Sequence, residues 1–598
     1  MKAQCRDSSF RPHGGTLNDK DYLMREPVRD RSQVVDNSVL PEADSMRGRE
    51  WLLVSSYASL ALLIRLSLRF EPAITYDGVF YARLGQNLVS GNFKEGLSTY
   101  WSPLYPLLIG LSSLVFPDLE FAGRFVSVLA GALLVIPVYL LIRSYYGRDA
   151  ATVGALLIVF YPELIYYSTL VLTESTYTLL FVAGILTGRV ALSSGKGKLF
   201  FLTGMIFGAC YLVRPEAIGF IVLLVIITLS LIFFHDRIRY RKILLNVLTL
   251  SFGFILLSLP YILFLQQETG RWTISEKLRA NQATNWKRRW HTLIEGGQIT
   301  LWDQLIAGAR VEGTVADGVE PRPSPAVSDP SGFVLSSIKG LYPAVSDPSG
   351  FVLSSIKGLY EEYLMFSQVI PPLLILLAGL GLFRTKWSRE RAGKETYLLL
   401  FLISTLAGYA VLIQNVRFLI PLIPIVICWS ARGVIEFENW LLESGAPIFR
   451  SRFLFLRNRR FLRSLIVGVI ILTLLPSTVS FINRRKRIWD PKPVAAWIKR
   501  HSDSTPLIMS TSPAVAFYAG ARIINLPYEE YPVVIEYAKR KEVDYIMVEE
   551  QDLADRPLLK FLLDEHGRHP GLRLVYENGD MPKHKVRVFE LAESPQSD

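Results

Sequence analysis

The sequence predicts a polytopic α-helical membrane protein of about eleven spans, followed by an α/β domain outside the bilayer. Three observations carry this reading. Of the 598 residues, 50% are hydrophobic and the mean hydropathy is +0.29, more apolar than a soluble chain of this length sustains. Apolar windows of roughly 17–22 residues recur, each enough to cross a hydrocarbon core of ~30 Å. After residue 488 the pattern changes to short alternating helical and strand-like runs.

The first 50 residues are polar and rich in breakers, and are expected to be a disordered cytoplasmic segment. The first apolar run begins near Trp51, too late for a signal peptide, and is expected to act as the first membrane anchor. The spans fall at 51–70, 121–142, 150–167, 175–192, 199–214, 217–234, 243–265, 364–383, 396–413, 418–437 and 464–482. The run 199–234 is too long for one span, and "RPE" at 214–216 divides it into two spans meeting at a corner. The piece 103–117 is short and opens with prolines, the pattern of a re-entrant or interfacial helix. Segment 51–487 is thus one membrane domain with two large outer loops, 71–120 and 266–362.

The net charge of +12 does not point to nucleic acid, because most of the surplus lies in short loops between spans. Arg143, Arg148, Lys196, Lys198, Arg384, Lys386, Arg391 and Arg463 all fall on one side when the spans alternate. That side is predicted to be cytoplasmic, and "NRRKR" at 483–487 is the one run that objects. The opposite, extracytoplasmic side then receives Asp77, Glu174, the "RPE" corner, "QNVR" at 414–417 and the C-terminal domain 488–598.

These outer polar residues are the candidates for chemistry. "YDGVFYARLGQNL" places Asp77 and Tyr81 on one face of a helix suited to the interface. Asp77 reads either as a helix cap or as a partly desolvated general base. Glu174 opens a span, where a carboxylate favours the helix dipole. It also reads as a second acid of the same cleft, orienting an acceptor hydroxyl or sharing a divalent cation with Asp77. Glu163, in "YPELIYY", is a weaker acid of the same kind, and Glu216 lies in the "RPE" corner. Arg214 and Arg417 each end a span on the outer side. Each reads as a snorkelling helix end or as a fork for phosphate oxygens, with a lipid tail running into the bilayer. Arg65 and Arg69 carry the same ambiguity. Cys5, Cys210 and Cys428 are too dispersed for a disulfide frame or a CxxC site. Nucleotide-binding P-loops, GxSxG and HExxH are absent from the sequence. A lipid or sugar transporter is the rival class, since the "RPE" corner also suits a broken-helix site.

The stretches "RLSLRFEPAITYDGVFYARLGQNLVSGN", "YWSPLYPLLIGL", "FAGRFVSVLAGALLVIPVYLLIRSYYGRDAA", "YPELIYYSTLVLTESTYTLLF", "CYLVRPEAIG" and "NVRFLIPLIPIVICWSARG" run in this order through residues 51–437. Together they resemble the dolichyl-phosphate-mannose protein mannosyltransferase family, glycosyltransferase family 39, and its bacterial relatives that modify lipid A with aminoarabinose. The resemblance implies a GT-C fold, a polyprenyl-phosphate sugar donor, and a lipid, glycan or protein acceptor. It maps the general base of the first outer loop onto Asp77. Arg417, with Arg214, would then bind the donor phosphate, and direct displacement would invert the anomeric centre. Many family members carry an Asp-Glu pair at the first position, whereas here Gly78 follows Asp77.

"PAVSDPSGFVLSSIKGLY" occurs at 325–342 and again, unchanged, at 343–360. Two copies do not make a solenoid, and one is predicted to be dispensable. Deleting 325–342 is expected to leave activity intact, and an inactive deletion variant that still folds refutes this.

Overall fold

In the computed structural model the described residues are 48–68, 71–234, 240–277, 364–411, 415–443, 458–485, 489–527, 531–550, 553, 556–564, 569–578 and 584–592. Residues 1–47, Arg69, both copies of the tandem repeat and part of "NRRKR" lie outside them.

The chain runs through α1 (Gly48–Ser67), α2 (Tyr76–Val89), α3 (Phe93–Gly96), α4 (Leu104–Ser113), α5 (Leu119–Leu133), α6 (Val135–Phe160) and α7 (Pro162–Ser168). Next come α8 (Glu174–Ser194), α9 (Gly197–Val213), α10 (Ile218–Ser230) and α11 (Tyr240–Thr269). Beyond the long loop lie α12 (Pro372–Phe383), α13 (Arg389–Val411), α14 (Ile423–Glu443) and α15 (Arg459–Arg485). In their described residues the eleven apolar runs fall largely on helix. Among the described residues six helical segments have the length and composition to cross a membrane, and they cover seven of those runs. The other four fall on α9, α10, α12 and α13.

Two local rules break the helices. Gly147 interrupts α6 with φ 83° and ψ −179°, a conformation open to glycine alone. The break separates the runs 121–142 and 150–167. At the "RPE" corner Arg214 is extended (φ −149°, ψ 126°), because the following Pro215 crowds the helical conformation of its predecessor. Pro215 then opens a short 3-10 turn leading into α10.

The piece 103–117 forms α4, which packs on α2. Gly85 and Gly110 meet at this crossing, and a Cβ on either would collide with backbone of the other helix. One large apolar core joins the bundle, from Val54 and Ala61 of α1 to Val467 and Ile470 of α15.

The C-terminal region comprises α16 (Lys492–His501), β1 (Leu507–Met509), α17 (Pro513–Ala519), β2 (Arg522–Ile524), α18 (Tyr531–Arg540), β3 (Tyr545–Glu549), β4 (Leu572–Glu577) and β5 (Val586–Leu591). The strand-like runs expected after residue 488 include these five strands. They form one sheet in the order β2-β1-β3-β5-β4, parallel among the first three and antiparallel beyond. Alternation along the strands builds two cores. Met509, Ile546 and Val548 pack with α18, and Ile508, Tyr545 and Met547 pack with α16 and α17. Helix α17 also faces the membrane bundle, where Ala514, Phe517 and Tyr518 join the large core.

Gly85→Val is expected to push α2 off α4 at a cost of about 1–3 kcal/mol. Its thermal midpoint in detergent should fall, whereas Gly219→Val, whose Cβ meets nothing within 4 Å, should match wild type.

Candidate active site

Asp77 is the second residue of α2, and it does not cap that helix. Thr75 does so, its hydroxyl accepting a hydrogen bond from the Gly78 amide at 3.1 Å. The Asp77 carboxylate is thereby free to reach across the bundle. Its Oδ2 accepts a hydrogen bond from Arg417 Nη1 at 2.7 Å, over 340 positions of sequence.

Arg417 is the second residue of a 3-10 turn, Val416–Leu422, that precedes α14. Pro421 withholds an amide there, and Asn415 caps the turn by accepting from the Arg417 amide. Arg417 Nε lies 3.6 Å from Glu174 Oε1, so one guanidinium stands between both candidate acids. Glu174 is only 1% exposed. Its Oε1 also lies 3.6 Å from Arg214 Nη1, and Arg214 Nη2 reaches Glu216 Oε1 at 3.3 Å. Arg214, 4% exposed, is held between the rings of Phe418 (4.4 Å) and Tyr177 (5.1 Å). Asp77, Arg417, Glu174, Arg214 and Glu216 therefore form one chain of alternating charge.

Several atoms of this chain have no hydrogen-bond partner among the described residues. They are Glu174 Oε2, Glu216 Oε2, Arg214 Nη1 and Arg417 Nε, all buried. Buried polar atoms are ordinarily paired, so this unsatisfied row beside the Asp77 carboxylate has hydrogen-bonding capacity left for a polar group. A divalent cation fits this donor set poorly, since the Arg417 guanidinium already stands between Asp77 and Glu174. Among the described residues no group of three His, Cys, Asp or Glu side chains could hold a metal.

Two features were not legible in the sequence. Lys277, just past α11, lies over the rings of Trp101 (4.6 Å) and Tyr100 (5.5 Å). Burial lowers its ammonium below the usual lysine range, against the opposing pull of Asp77 and Glu216. Gly78 has no room for the second acid of the Asp-Glu pair. A Cβ there would come within 2.7 Å of Thr75 Oγ1 and 2.9 Å of Val171 Cβ. The carboxylate that shares Arg417 with Asp77 is Glu174, from α8.

Tyr81 is buried one turn beyond Asp77, with its ring edge-on to Trp101 and Tyr105. Glu163 is buried in α7 with Oε2 unpartnered, and no described contact joins it to Asp77 or Glu174. Arg65 is fully buried too, donating to the carbonyls of Ile158 and Val159 in the last turn of α6.

Residues 101–262 match the family model described as dolichyl-phosphate-mannose-protein mannosyltransferase. No curated protein matches the chain by sequence. Among solved structures, ArnT from Cupriavidus metallidurans bound to undecaprenyl phosphate is similar, at 12% identity and a TM-score of 0.51. The match covers 91% of this chain and 98% of that one. Its apo form aligns at 13% identity and a TM-score of 0.52, covering 90% and 98%. The Archaeoglobus fulgidus oligosaccharyltransferase tethered with an acceptor peptide aligns at 14% identity and a TM-score of 0.51, covering 83% and 69%. The matched segment carries Glu174, Arg214 and Glu216, and the chain as a whole has the fold of the GT-C membrane glycosyltransferases.

Proposed function

We propose that this multi-pass membrane protein transfers a sugar from a polyprenyl-phosphate donor to an acceptor hydroxyl on the extracytoplasmic side. The observation that carries the reading is the sharing of Arg417 by Asp77 and Glu174 at the edge of a buried row of unsatisfied polar atoms. The structural likeness to a transferase bound to undecaprenyl phosphate supports the donor class. The likeness to an enzyme tethered to an acceptor peptide leaves protein acceptors beside lipids and glycans. None of these relatives is a transporter.

The chemistry follows from charge. An acceptor oxygen attacks the anomeric carbon, the bond from that carbon to the phosphate oxygen breaks, and its electron pair leaves with the polyprenyl phosphate. Arg417 and Lys277 meet the charge growing on that phosphate. Arg417 in this state is held by Asp77. A phosphate drawing on the same guanidinium would release the carboxylate to take the acceptor's proton. Arg214, enclosed between two rings and two acids, holds Glu174 in place, and Glu174 orients the acceptor. One direct displacement inverts the anomeric centre.

Asp77→Asn, reconstituted in nanodiscs with a polyprenyl-phosphate sugar, is expected to lose about 100-fold or more in kcat. Near-normal turnover in a folded variant sinks the assignment.

The ammonium of Lys277 carries charge only below its lowered pKa. Donor capture, read as kcat/KM, should therefore weaken as pH rises, and at a lower pH than an ordinary lysine would show. Lys277→Arg, which stays charged, should flatten that limb of the profile. An unchanged profile removes Lys277 from donor binding.

A further inference from the structure

The C-terminal sheet region touches the membrane bundle at the loop that delivers Asp77. Tyr518, at the end of α17, accepts a hydrogen bond from the Ile74 amide at 2.7 Å and donates one to Glu120 Oε2 at 2.7 Å. Lys492, the first residue of α16, donates to the Pro72 carbonyl at 2.9 Å and lies 3.5 Å from Glu120 Oε2. Arg83, on α2, reaches back to the Ala521 carbonyl at 2.8 Å. Two backbone groups just ahead of Asp77 are thus held from outside the membrane domain.

Glu120 passes the contact on to Arg124, one turn along α5. Arg124 Nε and Nη2 donate to Glu120 Oε1 at 3.0 and 2.7 Å. The rest of the guanidinium faces two loops at once. Nη2 donates to the carbonyls of Ala73 (3.1 Å) and Glu71 (3.3 Å), ahead of Asp77. Nη1 donates to the Thr169 carbonyl (2.7 Å), ahead of Glu174. The loops are also joined directly, by Thr75 Oγ1 donating to the Val171 carbonyl at 3.0 Å. Ser127 holds the Leu172 carbonyl at 3.1 Å. A planar fork with five fixed donors suits this task, because it sets several carbonyls in one frame. Glu120 supplies the charge that lets Arg124 be buried there.

We propose that the C-terminal sheet region positions the transfer site, acting through Tyr518, Lys492, Glu120 and Arg124 to set the spacing of Asp77 and Glu174. The inference rests on the transferase reading above only for its effect on turnover. Its structural content stands separately. A fixed spacing matters because a displacement of about 1 Å in a reacting group can cost 10²-fold in rate. Arg124 and Tyr518 touch no reacting atom in this scheme, and their effect passes through the two loops.

The test uses the full-length protein in nanodiscs. Tyr518→Phe removes one hydroxyl and keeps the ring, and Lys492→Met removes the second contact. Hydrogen exchange of the amides at 73–79 and 169–173 is expected to accelerate in both loops, with the thermal midpoint of the bundle unchanged. Turnover of a polyprenyl-phosphate sugar should fall about tenfold in kcat with little change in donor KM, as expected for misplaced rather than missing groups. Adding Tyr518→Phe to Arg124→Lys should cost little beyond Arg124→Lys alone, because both act on one linkage. Unchanged exchange in both loops overturns the inference, as does unchanged kcat in the double variant Tyr518→Phe/Lys492→Met. If the wild-type protein transfers no sugar, the transferase reading fails, and hydrogen exchange alone decides the positioning role.

Discussion

A charge inside a membrane bundle persists only with a partner, and the contact of Arg417 with Asp77 and Glu174 is where this chain meets that constraint. Removing one member of such a set leaves the others buried and uncompensated, at about 3–5 kcal/mol. The network therefore imposes its geometry on the backbone around it. Helix α9 stops at Val213 so that Arg214 can turn inward, and the 3-10 turn before α14 sets Arg417 toward α2. Thr75 takes the capping role, which leaves the Asp77 carboxylate available to cross the bundle.

The same rule shapes other parts of the bundle. Glu395, wholly buried, accepts hydrogen bonds from Tyr146 and from the indole of Trp429 and lies 3.4 Å from Arg391. Glu438, also wholly buried, pairs with Arg463 at 2.8 Å. Glu50 pairs with Arg143 at 2.8 Å and accepts from Tyr139. Two basic residues that read as a loop surplus, Arg143 and Arg463, are thus each half of an ion pair that ties two helices together. Their charge still belongs to the orientation signal, but their side chains have a packing role that composition does not reveal.

Lys277, Tyr518 and Arg124 show why part of the candidate site and its surroundings was hidden. Lys277 follows α11 in a polar stretch and becomes notable only through the rings of Trp101 and Tyr100, far away in sequence. Tyr518 sits in a seven-residue helix, "PAVAFYA", too short and too uniformly apolar to announce a contact. Arg124 lies inside an apolar run, where a lone arginine gives no hint of which carbonyls it holds. Asp77, Glu174, Arg214 and Arg417 were legible because each interrupts or borders a hydrophobic run, and such interruptions are costly enough to stand out.

Hydrophobic periodicity and length by themselves determined the helical bundle, because a backbone in hydrocarbon must bond within its own segment. Strand-like alternation likewise determined the five strands of the C-terminal sheet. The break at "RPE" followed from the proline and its charges. Which charges meet was decided by the tertiary structure alone. The Asp77–Arg417 contact spans 340 positions, and a pairing at that range depends on how helices cross rather than on any local pattern. The surroundings of Gly78 were decided in the same way: Thr75 and Val171 fill the space a side chain would need there, and the fold brings Glu174 of α8 to the guanidinium that Asp77 holds.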